Sequence, residues 1–78
     1  MAAIVSALRT VIQQGFGVDM FLHAATIDIM KRGTAARIRQ ALMQAELDLG
    51  EDDRANGELM RALGKLDSIC RNIILFTP

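Results

Sequence analysis

Leu59, Leu63, Leu66, Cys70 and Ile73 follow one another at steps of 4, 3, 4 and 3 residues. Those steps place all five on one side of an α-helix and repeat the spacing of a packed helical seam. A second run, Ala35, Ile38, Leu42, Ala45 and Leu49, steps by 3, 4, 3 and 4. A half-buried strand needs alternation of period two, and neither run has it. Two apolar seams joined by the short polar stretch from Gly50 to Asp53 describe an antiparallel αα-hairpin. The expected fold class is therefore all-α, with three to four short helices built around that hairpin.

The rest of the chain completes this plan as one small domain over 1–78, with helices at about 2–14, 19–31, 34–49 and 53–75. Ile4, Leu8, Val11 and Ile12 form the stripe of the first segment, and Gly15 is its candidate left-handed cap. In the second, Met20, Phe21, Leu22, Ala24, Ala25, Ile27, Ile29 and Met30 cover most of the circumference. A helix apolar nearly all round is buried or lies at an interface, so Met20 and Met30 are expected to fill the core. Asp19 is a candidate N-cap, and Asp28 and Arg32 stand four apart as a pair should. Two stretches, 26–30 and 72–76, are β-branched enough for a strand to compete with the helix. Thr34 is a candidate N-cap for the third segment, and Asp52 or Asp53 for the fourth. Asn56-Gly57 is a turn signal inside the fourth, so its helix can begin only there.

Size makes this plan precarious. A core in a chain of 78 residues supplies roughly 3–5 kcal/mol unless it is stapled. One cysteine allows no internal disulfide, and one histidine excludes a Cys/His zinc site. No other metal or cofactor motif is present. Yet 51% of the residues are hydrophobic and the mean hydropathy is +0.25. Homodimerisation is the remaining way to bury that material. The nine basic and nine acidic residues cancel, so overall charge argues for no polyanionic partner. The single thiol suits a reducing cytoplasm, and seven arginines against two lysines suit a GC-rich bacterial or phage source. The opening "MAAIVSALRTVIQQ" lacks the basic start of a signal peptide. No run approaches the roughly 20 apolar residues of a membrane span.

The charges of the third segment run against its dipole. Lys31, Arg32, Arg37 and Arg39 lie at its start without an acid, and Glu46, Asp48, Glu51, Asp52 and Asp53 lie at its end without a base. Helices favour the reverse. A solvated face followed by an acidic loop is the plainest explanation. A second copy laid antiparallel offers another. With facing residue numbers summing to 85, Arg39 meets Glu46 and Arg37 meets Asp48. Such self-complementarity is what a two-fold interface requires. The candidate interface is thus Arg37, Arg39, Glu46 and Asp48 for register, with Met43, Leu47 and Met60 as apolar contacts to the copy or to another protein.

The expected function is a protein–protein interaction module: a regulator, inhibitor or assembly factor. One alternative is a small DNA-binding regulator with Arg37 and Arg39 on a recognition helix. The acidic end of that helix weighs against it, as does Arg39 at a position where a core residue is usual. Another is a subunit stable only inside a larger complex. No enzyme is expected. His23 stands four residues after Asp19, but no nucleophile accompanies them, and Cys70 on a seam reads as a buried, inert thiol. Gly57 and Gly64, seven apart beside Arg61 and Ser68, would permit another backbone to approach closely.

Overall fold

The structure is a computed structural model that describes the backbone of residues 2–76 and the side chains of 4–76. It contains α1 (Ala2–Gln13), α2 (Val18–Arg32), α3 (Ala35–Leu47), α4 (Glu51–Ala55) and α5 (Gly57–Phe76), with no strand among the described residues. Both strand candidates are helical. In "TIDIM" a strand would put Ile27 and Ile29 on the same face. Instead Ile29 is buried, Ile27 is exposed, and the Thr26 hydroxyl donates to the Leu22 carbonyl at 2.7 Å.

The fourth expected helix divides in two at Asn56. The Asn56 N–H donates to the Asp53 carbonyl at 3.1 Å and closes α4. Its carbonyl accepts from Met60 N–H at 3.0 Å, and its Oδ1 accepts from Leu59 N–H at 3.2 Å, capping α5. Neither Asp52 nor Asp53 is a cap. Gly50 takes that position, and Glu51, Asp52 and Asp53 fill the first turn of α4, where the helix dipole favours acids. Likewise Gly17, not Asp19, precedes α2, and Thr34 precedes α3 without a side-chain cap bond.

Gly33 ends α2 at φ +63°, with its N–H donating to the Ile29 carbonyl at 2.9 Å. A Cβ there would meet nothing, so only the backbone resists substitution. Gly33→Ala is expected to cost about 1–2 kcal/mol, read as a lower urea midpoint with an unchanged m-value.

α5 is the hub. Its Leu59, Ala62, Leu63, Leu66 and Cys70 are buried against Val5 and Leu8 of α1, Val18, Leu22 and Ile29 of α2, and Ala35, Leu42 and Ala45 of α3. Leu49, between α3 and α4, closes one end. Every seam position is buried or half-buried, Ile38 and Ile73 being the half-buried ones. α2 departs from expectation. Met20 is 80% exposed and Met30 is 63% exposed, so neither fills the core. α2 meets the core along one stripe only, through Val18, Leu22 and Ile29.

Ion pairs tie the outer helices down. Arg9 of α1 grips Asp53 of α4 through two bonds, the Nε–Oδ1 one at 2.8 Å. Lys65 of α5 reaches Asp19 of α2 at 2.9 Å, Arg39 of α3 reaches Asp67 of α5 at 3.3 Å, and Arg32 reaches Asp28 at 3.1 Å. The hydrogen bond from Arg9 holds the Asp53 carboxyl below its ordinary pKa, and Lys65 does the same for Asp19. A carboxyl with a depressed folded pKa contributes stability above its unfolded pKa and loses it as pH falls through the folded value. Stability is therefore expected to fall on acidification through and below the ordinary carboxylate range. Asp19→Asn with Asp53→Asn should flatten that part of a melting-temperature-against-pH curve.

Candidate functional site

α3 has two sides of different character. Ala35, Ile38, Leu42 and Ala45 face the core, while Ala36, Gln40, Met43, Gln44 and Leu47 stand on the opposite, exposed side. Met43 is 56% exposed and Leu47 is 76% exposed. Arg37 and Asp48 lie on one edge of this face, about three turns apart. Both are exposed, and neither has an ion-pair partner among the described residues.

The other expected residues sit differently. Arg39 and Glu46 share the opposite edge, closer to the core. Arg39 is half-buried and spends its charge on Asp67, so it is not waiting for Glu46 of a copy. Met60 is half-buried and packs against the core from α5, so it is not the exposed contact that its sequence position implied. Arg37, Met43, Leu47 and Asp48 are the members of the expected set that share one open face.

A residue outside that set explains part of the reversed charge pattern. Arg54 of α4 donates from Nη2 to the Glu46 carbonyl at 3.0 Å and from Nε to the Leu49 carbonyl at 3.3 Å. A cation thus does serve the carbonyls at the end of α3, as the dipole requires, but it comes from the next helix. The sequence signal was available: an arginine directly after an acidic first turn, one short connection beyond the end of α3.

A second open face lies on α2, where Met20, Ala24, Ile27 and Met30 point away from the core. α2 and α3 occupy opposite flanks of α5, since Asp19 reaches Lys65 on one side and Arg39 reaches Asp67 on the other. Between α2 and α5 runs a groove of about 540 Å³ floored by Leu22, Ile69 and Gly64, with His23, Thr26 and Ser68 along it. His23 is exposed and its neighbour Asp19 is held by Lys65, so no oriented His–Asp pair forms. Cys70 is fully buried, and burial raises its thiol pKa, which makes it a poor nucleophile. Among the described residues nothing lies within 4 Å of a Cβ added at Gly57 or Gly64.

Among the described residues no helix is long and apolar enough to cross a membrane. The DNA-binding alternative asks Arg37 and Arg39 to be free together on the recognition helix, and Arg39 is bound to Asp67. No protein-family model, curated protein or solved structure matches the chain.

Proposed function

We propose that the chain is a helical protein–protein interaction module working as a two-fold homodimer: a regulator, inhibitor or assembly factor in a reducing cytoplasm. On this reading α3 and α5 form an antiparallel hairpin about α4, and the open side of α3 lies antiparallel on its copy. The observation that carries it is the placement of Arg37 and Asp48, without an ion-pair partner among the described residues and on one edge of an exposed face that includes Met43 and Leu47. In an antiparallel two-fold pair, like edges face each other. Arg37 then meets the partner's Asp48, and Asp48 meets the partner's Arg37, while Met43 and Leu47 close over the partner's Gln40 and Ala36. Arg39 and Glu46 take no part, because Asp67 holds Arg39.

Sedimentation of the wild type, Arg37→Glu and Arg37→Glu/Asp48→Arg tests the proposal: dimer, monomer and dimer are expected. A wild type that stays monomeric as its concentration rises overturns it.

A further inference from the structure

We draw no further inference here: the strongest candidate, the open apolar cleft between α1 and α2 lined by Ile4, Ala7, Phe21 and Ala25 with Ile29 and Leu66, is an unpartnered apolar surface, and nothing in the structure shows what covers it.

Discussion

Leu63→Ala is expected to cost about 3–5 kcal/mol of folding stability, the range for emptying a fully buried leucine site. Leu63 has no exposed surface and sits at the centre of the buried stripe from Leu59 to Cys70 on α5, the helix that every other helix packs on. A core of this size holds roughly the same amount in total, so the variant should be largely unfolded in buffer at 25 °C. Far-ultraviolet circular dichroism and a urea titration read this directly. Both should be run at several protein concentrations, because dimerisation raises apparent stability by mass action. Leu47→Ala is the contrast. It removes the same side chain from an exposed site, and its effect on monomer folding should stay within about 0.5 kcal/mol. A Leu63→Ala protein that folds with a loss below about 1 kcal/mol would show that α5 is not the hub.

Arg37→Glu should act on association instead of folding. Two-fold symmetry places the change twice in each dimer, so two attractions become two repulsions. Exposed ion pairs contribute about 0.2–1 kcal/mol each, and juxtaposed like charges cost more. Together they amount to about 2–4 kcal/mol, or a rise in Kd of about 30- to 1,000-fold. Adding Asp48→Arg reverses both charges and should return the Kd to within a few-fold of wild type. Raising salt should shrink the defect of the single variant. Arg39→Glu is the control that separates register from mere charge. It should lower folding stability through its loss of Asp67 and leave the sedimentation mass unchanged. Equal dissociation by Arg37→Glu and Arg39→Glu would mean that a general charge effect is at work.

The seams of α3 and α5 were legible because each keeps one phase over its whole length, and burial follows phase. Asp28 with Arg32 was legible because a helix brings residues four apart together. What escaped was set by partners far along the chain. Nothing near Arg39 announces Asp67, 28 residues away, so residues 37–48 alone could not tell that Arg39 is engaged within the chain while Arg37 and Asp48 stand open. Met60 flanks its seam, and whether a flanking residue is covered depends on how a neighbouring helix leans. α2 misled for a physical reason. Its apolar residues form two stripes, Val18, Leu22 and Ile29 on one side and Met20, Ile27 and Met30 on the other. An all-round apolar count reads as burial, whereas the phases describe one inward and one outward apolar stripe. The Asn56-Gly57 turn was visible, but not that Asn56 would close one helix and start the next.

The position of the hub within the chain also governs how the molecule comes into being. α1 to α4 leave the ribosome first, yet their apolar faces meet chiefly on α5, which is made after them. Until Leu59 to Cys70 emerge, the earlier segments lack the surface that takes most of their contacts, and the sides of Val5, Leu22 and Leu42 that pack on α5 stay open to water. Nascent chains with such exposed stripes are prone to wrong association. Synthesis of these helices therefore carries a vulnerable interval that ends only when α5 docks.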